Sequence, residues 1–275
     1  MMRPMKPPEN PLAVPEPWDL VAPGYALDIV PIFEPFAEAA LALAAPARDA
    51  RIVDVACGPG TLSLLAAPRV ATVDALDFSA AMLERCRERV AAAGLGNIEL
   101  RQGDGQALPY PDGSFDAAFS MFGLMFFPAR DRGLAELRRV LRPGGRAVVS
   151  SWQVAPEGTT MREIIEGLAQ VMPNAPRPGV PGPLGDADVF AAELGAAGFR
   201  EIAVHAVVHT DTAPSVDALW SSLQRSMAPL VMMKQRMPPA MFAQVEAAIV
   251  DRLRARFGSG PVPTPMPAWL GTGVA

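Results

Sequence analysis

The chain is 275 residues long and half of them are hydrophobic, enough for one large α/β domain with a well-buried core, with or without a helical cap. A formal charge of -5 leaves no basic stripe for a phosphate backbone, which sets nucleic acid aside as a partner. Cys57 and Cys86 are the two cysteines; they supply neither a disulfide framework nor metal-ligand spacing, so a reducing, cytoplasmic setting and no metal are expected.

Residues 1–17 are proline-rich and lack the apolar stretch of a signal peptide; they are expected to form a flexible arm ahead of a single domain over 18–275. No apolar run free of charge and proline reaches ~18 residues, so no membrane span is expected. The prolines cluster at the start, at 173–183 and at 261–267, and these clusters read as connections.

Short apolar runs at 51–56, 72–77, 97–102, 115–120 and 146–151 predict strands. A sixth, 199–209, alternates through Ile202, Val204, Ala206 and Val208, and a last short strand is predicted at 266–274. Helices are predicted between them. Over 79–93, Met82, Leu83, Cys86 and Val90 share one face, with Ser79 as N-cap and Gly94 just past the end. Over 129–141, Leu134, Leu137 and Leu141 form a stripe that stops at Arg142-Pro143-Gly144-Gly145. Strands alternating with helices imply a mostly parallel sheet covered on both faces, with ligands at the carboxyl ends of the strands. The cofactor-binding core is expected over 48–151. The 210–262 segment breaks the alternation: Trp220, Leu223 and Met227, then Phe242, Val245, Ile249 and Leu253, fall at helical spacing and predict a helical cap inserted before the last strand.

The strongest motif is Val53-Asp54-Val55-Ala56-Cys57-Gly58-Pro59-Gly60, a strand entering a glycine turn and then a helix from Thr61. Gly58 and Gly60 let backbone approach a ligand, and the helix start offers free amides. Asp77 lies nineteen residues after Gly58, at the end of the second strand, where a carboxylate can accept both ribose hydroxyls. That much serves a nicotinamide cofactor or S-adenosylmethionine alike. Three details favour the second: Ser63 replaces the third glycine of the dinucleotide fingerprint, Asp54 precedes the turn, and Asp104 ends the third strand, where it can accept from an adenine amino group.

Asp54 to Gly60, Leu-Asp-Phe-Ser (76–79), Gly-Asp-Gly-Gln-Ala-Leu-Pro (103–109), Asp-Gly-Ser-Phe-Asp (112–116) and Leu-Arg-Pro-Gly-Gly (141–145) together resemble the ordered motifs of class I S-adenosylmethionine-dependent methyltransferases. The likeness is nearest to the menaquinone and ubiquinone C-methyltransferases and to natural-product methyltransferases, and it covers about 18–151 well. It implies a Rossmann-like seven-stranded sheet with the last strand antiparallel. It also implies that the turn Asp54, Ala56, Cys57, Gly58, Pro59 and Gly60 holds the methionine part of the cofactor. Asp77 matches the ribose ligand, Phe78 and Met82 the flanks of the adenine, and Asp104, Gly105 and Gln106 the adenine amino-group site. Ser120 and Met121 match a contact to the cofactor's amino group. Tyr25 resembles a tyrosine that closes over the cofactor from an N-terminal helix; the other reading is core packing.

After the fourth strand the chain reads Ser-Met-Phe-Gly (120–123), unlike enzymes that methylate amide or exocyclic amino nitrogens. Phe122 and Phe126 either line an acceptor pocket or pack beneath the next helix. The methionine-rich 227–237, with Met232, either folds over the acceptor or forms core or a homodimer contact. His205 and His209 share a strand face as candidates for a general base, against the commoner case of a half-solvated strand histidine. The expected activity is methyl transfer to oxygen or carbon of a small apolar acceptor of quinone-precursor, polyketide or phenolic type. Two readings stand beside it: a protein that binds S-adenosylmethionine without transferring methyl, and an NAD-dependent oxidoreductase, which Ser63 and Asp104 disfavour.

Overall fold

In the computed structural model, residues 10–275 are described. Two helices, α1 (Glu16–Asp28) and α2 (Val30–Ala44), precede the sheet. The parallel part is built from β1 (Arg51–Val55), α3 (Thr61–Ala66), β2 (Thr72–Asp77), α4 (Ala80–Ala92), β3 (Ile98–Gln102), β4 (Phe115–Ser120), α5 (Arg130–Val140) and β5 (Leu141–Trp152). Then come α6 (Thr160–Val171), α7 (Ala187–Ala196), β6 (Arg200–Ala213), α8 (Val216–Ser226), α9 (Ala228–Arg236), α10 (Pro239–Phe257) and β7 (Val262–Val274).

The seven strands run in the order β3-β2-β1-β4-β5-β7-β6, and β7 is antiparallel to both of its neighbours, as the resemblance implies. Alternate residues of each strand serve opposite faces. Ile52, Phe119 and Val148 pack with Phe36, Ala40 and Leu41 of α2 and Leu62 of α3. Val53, Ala118 and Val149 pack with Leu134 and Leu137 of α5 and Phe190 and Leu194 of α7.

Most predicted elements form within a residue or two of their expected ends. Ser79 caps α4, its hydroxyl accepting from the Met82 amide at 3.0 Å, and Gly94 takes a φ of 64°. The cap is smaller than the predicted 210–262, because residues 210–213 and 262 belong to the long β6–β7 ribbon. Of the prolines of 261–267, Pro261 lies in the connection from α10, and the other three belong to the ribbon. Pro263, Pro265 and Pro267 fall at every second position of β7, beyond Ala268, where pairing with β5 ends. The missing N–H groups therefore share one edge, where the ladder does not need them. In the cap, α6, α8 and α10 enclose their own core around Phe242, Val245, Ile249 and Leu253, the stripe expected from spacing.

The arm predicted over 1–17 is corrected from residue 10 onward; its first nine residues lie outside the described ones. Asn10 accepts through Oδ1 from the Leu12 amide, the Trp18 indole N–H donates to the Leu12 carbonyl at 2.9 Å, and α1 is under way by Glu16. Proline at the first helical positions starts α1 without losing a bond, which a count of prolines does not reveal. No described helix is long and apolar enough to cross a membrane.

Candidate active site

A cavity of about 250 Å³ opens at the carboxyl ends of β1, β2, β3 and β4, roofed by residues 12–25 and walled by α2. Its polar side is a row of carboxylates set by successive strands: Asp54 in β1, Asp77 at the end of β2 and Asp104 after β3.

Asp54 is 1% exposed. Its Oδ2 accepts from the Ser63 hydroxyl at 2.6 Å, while its Oδ1 has no partner among the described residues. Burial, the largest cause, pushes its carboxyl up to about 7 against the opposing pull of Ser63. Ser63, the residue that departs from the dinucleotide fingerprint, thus earns its place by holding this acid. Asp77 is also buried and sits at about 6; desolvation outweighs the amides of Ser79 and Gly58, which donate to Oδ1 and Oδ2, each at 2.8 Å. Asp104 Oδ1 accepts from the Gln106 amide at 2.8 Å and from its side-chain amide at 3.0 Å, and Gln106 Oε1 in turn accepts from the Ala129 amide at 2.8 Å.

The turn between β1 and α3 carries Gly58 at φ 55°, and a Cβ built there would meet nothing within 4 Å, so backbone faces open space. Two residues with side chains share this left-handed region beside it: Ala56 at φ 59° and Phe122 at φ 55°, at the ends of the adjacent strands β1 and β4. Such backbone strain concentrates where a fold is committed to a site. The Phe122 amide is held by the Ser150 hydroxyl at 2.8 Å, and its ring stacks on Trp152 with centroids 4.0 Å apart.

The same cavity is lined by a set of apolar side chains: Leu12, Trp18, Phe33, Ala37, Phe122 and Phe126. Trp18 leans on Phe126 at 5.1 Å between centroids, and Tyr25 meets Phe33 edge-on at 6.0 Å. Burial first, and the neighbouring Asp77 charge second, raise the Tyr25 hydroxyl above the usual phenol range.

The cavity brings together Tyr25, Asp54, Ala56, Cys57, Gly58, Pro59, Asp77, Phe78, Met82, Asp104, Gly105, Gln106, Met121, Phe122 and Phe126. Five expected residues do not line it. Gly60 faces Cys86 and caps α3, and Ser120 is fully buried with its hydroxyl unpartnered among the described residues. Met232 is buried in α9, which packs on α1, α8 and α10 and so lies behind the roof rather than over the cavity. His205 and His209 sit on β6; His209 packs against Phe36, and neither reaches the cavity. Leu12, Trp18, Phe33, Ala37 and Phe127 line it without having been singled out.

Residues 52–145 match a family model described as a methyltransferase domain. An uncharacterized protein of Mycobacterium tuberculosis is 38% identical over 128 residues, 46% of this chain and 46% of that protein, so the match spans less than half of that relative's length. Nocamycin O-methyltransferase of Saccharothrix syringae is 30% identical over 280 residues, covering 93% of this chain and 96% of its own. Among solved structures, the cyclase SpnF shares the fold with a TM-score of 0.62, at 21% identity over 98% of each chain. The row of carboxylates at successive strand ends and the full-length likeness agree: the chain belongs to the S-adenosylmethionine-dependent methyltransferase family.

Proposed function

We propose that the protein transfers the methyl group of S-adenosylmethionine to oxygen or carbon of a small apolar molecule of quinone-precursor, polyketide or phenolic type. The observation that carries this reading is that one cavity is lined by both a row of carboxylates and a set of aromatic side chains.

The carboxylate row suits the cofactor. The unpartnered Asp54 Oδ1 is a buried acceptor waiting for a cation, which fits an amino acid's ammonium. The open face of Gly58 admits the methionine chain. Asp77 keeps a lone pair on each oxygen for a ribose hydroxyl after binding its two amides. Asp104, oriented by Gln106, suits the adenine amino group, with Phe78 and Met82 on the flanks of the ring. Bound there, the cofactor supplies an activated methyl on a sulfonium.

The protein's part is then placement. Phe33, Phe122, Phe126 and Trp18 bury an apolar acceptor, exclude water and fix its angle of approach. Positioning of this kind supplies on the order of 7–11 kcal/mol. Nocamycin O-methyltransferase, similar over nearly its whole length, supports oxygen of a natural product as the acceptor.

Incubation with methyl-labelled cofactor and a panel of small phenols, enols and quinone precursors tests the reading. Label is expected on oxygen or carbon of a panel member, with S-adenosylhomocysteine as co-product. Label found only on tRNA or protein, or bound cofactor that is never demethylated, overturns it.

A further inference from the structure

The roof over the cavity is held unevenly. The carboxyl half of α1 is pressed onto α8: a Cβ on Gly24 would come within 2.4 Å of the Arg225 carbonyl oxygen, and Arg225 pairs with Asp28 at 3.1 Å. Val21 and Ala22 are fully buried and pack with Ala228 of α9. The amino half, which carries Trp18, packs with Ala81 and Met82 of α4, and its polar tie to that helix is a single side chain, Asp19. Asp19 Oδ1 accepts from the Ser79 hydroxyl at 2.6 Å and from the Ala81 amide at 3.3 Å.

Ser79 is the other half of the tie. Its amide donates to Asp77 Oδ1, while its hydroxyl donates to Asp19 and accepts from the Met82 amide. Asp77, Ser79 and Asp19 thus form a continuous chain of hydrogen bonds. It runs from the carboxylate assigned to the ribose to the helix that presents Trp18 and Tyr25 to the cavity. We infer that Asp19 is a positioning residue, coupling occupancy of the Asp77 side of the cavity to the placement of the acceptor roof.

This rests on the cofactor reading above, and the experiment separates the two. Amide hydrogen exchange over residues 16–22 is followed with and without S-adenosylhomocysteine, whose binding is measured in parallel by calorimetry. In the wild type the ligand is expected to slow exchange there by about tenfold; in Asp19→Ala it should bind within a few-fold of the parent yet slow exchange by less than about twofold. Asp19→Asn keeps the accepting oxygen and should restore protection. A role confined to capping α4 would lower the melting temperature of Asp19→Ala but leave the ligand-linked protection intact, and that result overturns the inference. Should Asp19→Ala not fold, Ser79→Ala, which leaves the amide on Asp77, gives the same reading: unchanged protection overturns the coupling, lost protection supports it. Failure of S-adenosylhomocysteine to bind the wild type would remove the cofactor reading and this inference with it.

Discussion

A buried carboxylate is costly to ionise: Asp54, with one oxygen on Ser63 and the other unpartnered among the described residues, sits at about 7, and Asp77, whose burial is partly offset by two backbone amides, at about 6. Both values are raised above those of the unfolded chain, near ~4. Between roughly pH 4 and pH 7 the folded protein therefore holds more protons than the unfolded one, and these two groups make the ligand-free protein less stable as pH rises through that window. An ammonium beside Asp54 reverses the balance by favouring its charged form. S-adenosylhomocysteine should accordingly bind more tightly as pH rises from about 6 to about 8, approaching about tenfold per unit below the Asp54 value. Asp54→Asn should bind weakly with a flat profile, and without ligand at pH 8 should unfold at a higher urea concentration than the parent. Calorimetry across pH checks the first and urea titration the second; a wild-type profile as flat as the variant's refutes the assignment. Asp54, Asp77 and Asp104 were legible in the sequence because each lies within two residues of a strand's carboxyl end, at a spacing the chemistry requires. Leu12 and Phe33 were not, since an apolar side chain beside a cavity has the same sequence signature as one inside a core.

The elements divide the same way. α4, α5 and the cap stripe of α10 were readable because a buried stripe repeats every three or four residues and caps mark the ends. The start of α1 was not, because Pro15 and Pro17 made Glu16 and Pro17 read as the end of an arm, although proline is compatible with a helix start. The resemblance placed Tyr25 on an N-terminal helix over the cofactor, but the cover over the acceptor was sought in the methionines of α9, whereas Leu12, Trp18 and Tyr25 line the cavity and α9 supports α1 from behind. Support of this kind has a sharp consequence at Gly24, where the neighbour within 2.4 Å is backbone and cannot rotate away. Gly24→Ala should lower unfolding free energy by about 1–3 kcal/mol, since over-packing forces the two helices apart. Because the displaced helix carries Trp18 and Tyr25, acceptor turnover should fall more than binding of S-adenosylhomocysteine does. Urea unfolding with steady-state kinetics checks both; a variant as stable as the parent would show that α1 does not dock on α8 as described.

At the scale of the whole molecule the sheet separates two tasks. Within its parallel part, β1, β2 and β3 set the three acids of the cavity, while β5 and the antiparallel β6–β7 ribbon carry the cap that braces the roof. The first task was almost fully visible in the sequence, because polar groups at fixed spacing leave a linear motif. The second was visible only as helices of unassigned purpose, because what they brace is decided by packing between residues some 200 apart, such as Asp28 and Arg225. The aromatic part of the cavity lining, proposed above for the acceptor, lies where the two meet. Phe126 lines it, supports the Trp18 ring, and accepts through its carbonyl from the Asn10 side chain at 3.3 Å. It touches none of Asp54, Asp77 or Asp104 through a hydrogen bond. Phe126→Ala leaves that carbonyl in place and removes only the ring, so the acceptor should lose apolar contact worth about 1–3 kcal/mol, a rise in KM of roughly five- to a hundredfold. Affinity for S-adenosylhomocysteine should stay within about threefold of the parent, since Phe126 shares no hydrogen-bond partner with the carboxylate row. Kinetics on an acceptor found in the labelled panel, with calorimetry for the cofactor product, decide it. If both ligands weaken alike, Phe126 shapes the cavity as a whole and the aromatic lining is not a separate acceptor surface.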